Sequence, residues 1–373
     1  MAIINIHFNG NLLYAPYILK NITSEKEMIQ KFNLWLDDRF LKNSTWFQNN
    51  KDKNESIQLS PSIILKTYAL SLSDHYWIKP KNKEIKWEDV NFFDNDFKEN
   101  KFISLTTQER LYDYNNNFAL YSPDITTGGE LSKCWVIKDN KRVLYKGSNT
   151  FKALEPINEY LASLICEILK ISYVKYEIEI ISNLEKQHLV SSCPTFVTKD
   201  TELISASEII CFEHNSVDEA YQKYIELLNN LGVLNSIDKI QKMFLLDIIM
   251  ANNDRHNKNF GLIRNVNNLK IIDVAPIFDT GNSLMTYLHD IDLDFKNEFI
   301  VLGYRNVSEQ DLFKIIGNYY LTENQKEELL NIPYIYENLL KKYEKNIYIN
   351  ELERDKIVEK LKNNILLVIN NSD

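Results

Sequence analysis

The sequence predicts an α+β chain in which a β-rich lobe precedes a helical lobe, both following an N-terminal region of less regular texture. Two observations carry this. Short runs rich in β-branched and aromatic residues cluster between about 121 and 199, and beyond about 218 the apolar residues recur at helical spacing. The expected organisation is an accessory region at 1–120, a β-rich lobe at 121–199 and a helical lobe at 200–373.

In the accessory region, the aromatic stretches IHFNGNLLYAPYIL and LSLSDHYWIKP are separated by the polar run KNSTWFQNNKDKNES at 42–56, an expected exposed loop. Its scattered aromatics, Tyr76, Trp77 and Trp87 among them, read as core or interface filler. From 121 the texture changes. YSPDITTGGELSKCWVI and KDNKRVLYKGS form two strands around a turn at Asp139-Asn140, with Gly128 and Gly129 before the first. EPINEYLASLICEILK places Ile157, Leu161, Leu164, Ile165, Ile168 and Leu169 on one helical face, with Pro156 in the first turn where proline is tolerated. VKYEIEIIS and SSCPTFVTKD supply two further strands. The helical lobe then runs through DKIQKMFLLDIIMANN, KEELLNIPYIYENLLKKY and ERDKIVEKLKNNILLVI.

Composition narrows the function classes. Of 373 residues, 44% are hydrophobic and 25% charged, an ordinary globular mixture, and only nine are glycine. The formal net charge of −9, without a Lys/Arg cluster, speaks against direct nucleic-acid binding. Cys134, Cys166, Cys193 and Cys211 form no C-x-x-C pair, which suits reduced, inert thiols. With no leader-like N-terminus and no run of eighteen apolar residues, a cytoplasmic, non-membrane protein is expected.

The chemistry gathers in NNDRHNKNFGLIR (252–264) and LKIIDVAPIFDTGNSL (269–284), joined across an expected hairpin. Asp254 and Asn259, five apart on one loop, and Asp279 after the return strand can converge. Singly, each residue suits a surface turn or a helix cap. Together they form the set that phosphoryl transfer needs, with Asp254 as base for a hydroxyl nucleophile and Asn259 and Asp279 as oxygen ligands for Mg²⁺. Gly281 would permit a sharp turn beside the metal. No Walker loop and no G-x-G-x-x-G is present. The triphosphate is therefore assigned to Lys146, paired with Glu159 thirteen residues on, and to backbone N–H groups near Gly128 and Gly129. His256 reads as a brace for the catalytic loop, and Asp247 as a buried carboxylate satisfied by loop backbone or Arg255.

LYKG before YLASLICEILKI, then DIIMANNDRHNKNFGLI and APIFDTGNSL, resembles the HipA-like family of bacterial serine/threonine kinases over about 125–285. The resemblance implies a two-lobed protein-kinase-like fold, related also to phosphatidylinositol kinases, that uses ATP and Mg²⁺. It implies Asp254 as the catalytic aspartate, Asn259 and Asp279 as magnesium ligands and Lys146 as the ATP lysine. The 126–133 loop, with Thr127, Gly128, Gly129 and Ser132, becomes the phosphate-binding loop, and 193–199 the hinge near adenine. Thr126, Thr127 and Ser132 are candidate autophosphorylation sites. The implied partners are a protein substrate and a protein regulator or antitoxin. The competing readings are a lipid or small-molecule kinase, against which the lack of a polybasic segment counts for lipid, and a nucleotide-binding regulatory pseudokinase.

Overall fold

The computed structural model describes residues 16–19, 22–39, 67–79, 82–97, 99, 121–127, 133–183, 186–210, 214–288 and 297–373. The chain mixes helices with antiparallel hairpins and divides into two compact units. The first holds Met1–Asn149, Pro194–Ile204 and Arg264–Leu269; the second holds Thr150–Cys193, Ser205–Ile263 and Lys270–Asp373.

In the first unit, α1 (Glu25–Asp38) starts at Ser24, whose hydroxyl accepts the Glu27 N–H, and α2 (Trp87–Val90) is a single turn. β1 (Lys133–Lys138) and β2 (Lys141–Lys146) pair antiparallel, Lys133 opposite Lys146. The turn between them holds Asp139 and Asn140 at φ 51° and 60°, the left-handed pair that a two-residue hairpin demands and that Asp and Asn tolerate. Trp135 of β1 packs with Leu70, Leu72, Val90, Phe92 and Phe97 in one apolar cluster, flanked by Tyr68, Trp77, Trp87 and Tyr121. Phe92 and Phe97 are thus core, and Tyr68, Trp77, Trp87 and Phe93 pack against it.

The second unit opens with α3 (Glu155–Leu169), whose Ile157, Leu161, Ile165 and Leu169 are fully buried. β3 (Glu177–Asn183) and β4 (Lys186–Pro194) form a hairpin, with Glu177 opposite Ser192. After β5 (Thr201–Ser205), which belongs to the first unit up to Ile204, α4 (Ala206–Ile209) leads to α5 (Val217–Asn230), N-capped by Ser216, and to α6 (Ser236–Met250), buried from Met243 to Met250. The neighbouring strands β6 (Gly261–Asn265) and β7 (Ile271–Val274) follow, as expected of GLIR and LKII. A hairpin of β8 (Glu298–Val301) and β9 (Tyr304–Ser308) precedes α7 (Glu309–Ile316). The helices α8 (Glu323–Lys342) and α9 (Glu351–Asn370), each opened by a capping box, close the chain. None of the described helices is long and apolar enough to cross a membrane.

Three expectations are corrected. The units do not divide at 120 or at 199. The accessory region shares its core with β1, while α3 joins the helical half, because Gln325 Nε2 donates to the Ile168 carbonyl at 2.8 Å and Tyr336 Oη to Asn158 Oδ1 at 2.7 Å. The strand expected at 191–200 begins at Lys186 and stops at Pro194, because the chain folds straight back on β3 and proline ends the ladder. The β8–β9 hairpin interrupts the helical half, turning through Leu302 and Gly303 at φ 51° and 93°.

Candidate active site

The helix α6 ends at Ala251 in the left-handed conformation (φ 47°), which turns the chain sharply into the 252–260 loop. That loop is built on Asp247. The Asp247 carboxylate, 2% exposed, accepts from Asn252 Nδ2 at 2.7 Å and from Arg255 Nε at 3.1 and 3.2 Å and Nη2 at 2.9 Å. Asn252 Oδ1 in turn accepts the Asp254 N–H at 3.1 Å, and Asn259 Nδ2 donates to the Asp254 carbonyl at 2.9 Å. The backbone of Asp254 is therefore held on both sides, while its side chain stays 38% exposed.

Arg255, 1% exposed, joins the two sequence segments. Its Nη1 donates to the Asn259 carbonyl at 2.9 Å and to the Phe278 carbonyl at 3.0 Å, fixing the residue before Asp279 against the loop that carries Asp254. Burial alone would lower the guanidinium pKa, but Asp247 outweighs it and raises it, so Arg255 is a permanent cation.

Asp279 stands at φ 59°, a left-handed backbone that aspartate tolerates but that costs strain, and its N–H donates to Tyr176 Oη at 3.3 Å. Next to it, Thr280 donates from its N–H and its hydroxyl to Glu159 Oε2, both at 3.0 Å. Asn158, the residue before Glu159, donates from Nδ2 to the Gly281 carbonyl at 3.2 Å and to the Ser283 carbonyl at 2.9 Å. One turn of α3 thus holds the whole 280–283 segment.

The structure brings Asp254, Asn259, Asp279 and Glu159 together within the second unit. Lys146 ends β2 in the first unit at 2% exposure, unlike a solvated strand-end lysine. Thr127, also in the first unit, spends its hydroxyl on the Pro123 carbonyl (donor, 2.8 Å) and on Trp135 Nε1 (acceptor, 2.8 Å). Thr126, 9% exposed, donates to the Leu70 carbonyl at 2.7 Å, so both hydroxyls are engaged within their own unit. Gly128, Gly129 and Ser132, like Cys211, lie outside the described residues.

Two assignments change. The main brace is Arg255; His256, 45% exposed, adds one loop hydrogen bond, its Nδ1 accepting the Lys258 N–H at 3.2 Å, and its Nε2 stands 3.9 Å from Asp254. Gly281 is needed for close approach, since its backbone is not left-handed and an added Cβ would meet Glu155 Cβ at 3.1 Å and Glu155 O at 3.2 Å. Sequence reading missed Asn158, Thr280 and Tyr176. Only Asn158 carried a signal, as a carboxamide inside a helix turn otherwise destined for burial.

Cys134, Cys166 and Cys193 are buried free thiols, and burial pushes the first two far up in pKa, leaving them protonated and inert. Among the described residues no three His, Cys, Asp or Glu side chains gather into a metal cage. Asn259 and Asp279 fit a hard cation in another way. With Asn259 Nδ2 committed to Asp254, its Oδ1 is the side-chain atom left for a ligand, and one carboxylate plus one amide oxygen is the sparse set used when phosphates complete the shell of Mg²⁺.

No family model matches the chain. It is 27% identical over 191 residues to the serine/threonine-protein kinase CtkA of Helicobacter pylori strain J99, covering 47% of this chain and 57% of that protein. The chain therefore spans little over half the length of this curated relative. Among solved structures, the Helicobacter pylori proinflammatory kinase CtkA aligns at TM-score 0.44 and 20% identity over 63% of this chain and 92% of that one. HipA of Shewanella oneidensis MR-1, solved with HipB and operator DNA, aligns at TM-score 0.38 and 13% identity over 65% and 63%. The sequence similarity to a serine/threonine-protein kinase agrees with the HipA-like resemblance drawn from the motifs.

Proposed function

We propose that the protein is an ATP- and Mg²⁺-dependent serine/threonine protein kinase of HipA-like type, acting in the cytoplasm on a protein hydroxyl and on itself. The observation that supports this best is the double use of Arg255 Nη1, which holds the Asn259 and Phe278 carbonyls and so ties the segment leading to Asp279 to the loop that carries Asp254 and Asn259. Phosphoryl transfer asks the protein for positioning and charge compensation more than for covalent chemistry.

In this reading Asp254, partly exposed on a rigid backbone, accepts the proton of the substrate hydroxyl. Asn259 Oδ1 and the Asp279 carboxylate hold Mg²⁺, which when bound neutralises phosphate charge. Lys146 takes the phosphates, and Glu159 acts on the same site through Thr280 as well as through any pairing with Lys146. The 126–133 loop cradles phosphate, and 193–199 meets adenine. A protein regulator or antitoxin is the proposed partner in addition to the substrate.

The test is transfer of label from γ-labelled ATP with Mg²⁺ to the chain itself and to peptide, lipid and metabolite pools. Label on protein serine or threonine supports the reading; label only on lipid or metabolite replaces it with the corresponding kinase. Mg·ATP binding, seen as a raised melting temperature, without any transfer replaces it with a nucleotide sensor.

A further inference from the structure

The D-T-G segment is held from a direction that no motif announces. Asn158 and Tyr336 are both fully buried, the first on α3 and the second in the middle of α8, 178 residues later. Tyr336 Oη donates to Asn158 Oδ1 at 2.7 Å, and Asn158 Nδ2 donates to the carbonyls of Gly281 and Ser283 at 3.2 and 2.9 Å. A carboxamide has one acceptor end and one donor end. The two carbonyls only accept, so they select the nitrogen end, and the phenol supplies the donor for the oxygen that is left. Without the phenol, Asn158 Oδ1 loses this buried donor and the amide loses the contact that seats it against the two carbonyls. Burial holds the Tyr336 phenol protonated, so it remains a donor.

We infer that Tyr336 is a positioning residue for Asp279: through Asn158 it sets the 279–283 segment, and so makes the C-terminal helix α8 part of the metal-holding apparatus. The effect on catalysis rests on the function proposed above; the effect on the segment does not. The other holds on this segment come from elsewhere: Phe278 is held by Arg255, Asp279 by Tyr176, and Thr280 by Glu159. Within the segment the Ser283 N–H donates to the Gly281 carbonyl at 2.9 Å and Ser283 Oγ to the Thr280 carbonyl at 2.6 Å; the Asn158 amide, seated by Tyr336, ties both residues to α3.

The experiment compares the full chain with Tyr336→Phe and Tyr319→Phe. The second variant removes a phenolic hydrogen bond of the same kind, Tyr319 Oη to the Val368 carbonyl at 2.6 Å, from a place that does not touch Asn158. Amide hydrogen exchange is followed over peptides covering 278–284 without nucleotide or metal, and label transfer is measured against Mg²⁺ concentration. Tyr336→Phe should keep the fold, speed exchange at 280–284 about fivefold and raise the Mg²⁺ concentration for half-maximal transfer about fivefold at saturating ATP, the scale of one lost hydrogen bond. Tyr319→Phe should change neither. Unchanged exchange in Tyr336→Phe, or the same change in both variants, overturns the inference. Faster exchange in Tyr336→Phe with no transfer even by the unaltered chain keeps the anchoring and removes the kinase reading instead.

Discussion

The Glu159 carboxylate accepts two hydrogen bonds from a single residue, Thr280, one from its N–H and one from its hydroxyl, each at 3.0 Å. Glu159 is 1% exposed and Thr280 equally so. The helix that the motifs marked as the partner of Lys146 is therefore fastened to the residue beside Asp279. Glu159→Ala leaves both Thr280 donors buried without a partner, at ~1–3 kcal/mol each. Glu159→Gln, which keeps an oxygen acceptor, should lose less. Melting temperature should fall in the order wild type, Gln, Ala, and transfer should fall further in both because the segment beside Asp279 loosens.

Gly281 is a steric prediction. A Cβ there would lie 3.1 Å from Glu155 Cβ and 3.2 Å from Glu159 Cγ, so Gly281→Ala must push α3 and the 279–283 segment apart. The cost should be ~1–3 kcal/mol by overpacking. A melting temperature and a transfer rate both equal to those of the wild type would show that the approach is not tight.

Arg255 and Asp247 separate stability from function. Arg255→Met strands a buried carboxylate and should cost ~3–5 kcal/mol. The double variant Arg255→Met, Asp247→Leu removes both charges and should recover much of that stability in chemical denaturation. It should not recover transfer, because neither new side chain can hold the Asn259 and Phe278 carbonyls.

Much of this site was legible in the sequence, and the limits have physical causes. The D-x4-N spacing, the return strand and the D-T-G marked two segments that Arg255 does join, because local spacing governs local loops. The Asp139-Asn140 turn was equally local. What could not be read is long-range. Nothing in LNIPYIYENLL indicates that Tyr336 reaches Asn158, and nothing in the aromatic run at 68–97 indicates that it shares a core with Trp135. The sequence offered Arg255 as a partner for Asp247, but not its reach to the Phe278 carbonyl across the hairpin, which makes it the main brace.

The first unit carries a pH dependence of its own. His75 stacks on Phe93 with ring centroids 5.0 Å apart, lies 5.1 Å from Trp87, and has both ring nitrogens buried without a hydrogen-bond partner among the described residues. Burial lowers its pKa below the usual value of about 6.5, against the opposing pull of Asp74 and Asp200. The unfolded chain then binds the proton more readily, so stability is full above pH ~6.5 and falls as pH drops toward the lowered folded value. Melting curves between pH 7.5 and 5.5 should show this loss, and His75→Phe should reduce it. An equal slope in both proteins would contradict the assignment.

The central claim concerns Asp254, and Asp254→Asn tests it most directly because it keeps the size of the side chain and leaves untouched the backbone bonds to Asn252 and Asn259. Mg·ATP should still raise the melting temperature of the variant as it does that of the wild type. Transfer from γ-labelled ATP to protein should fall by ~10²–10⁴-fold, the contribution of a positioned general base. Transfer by Asp254→Asn at the wild-type rate, with nucleotide binding intact, would contradict the account.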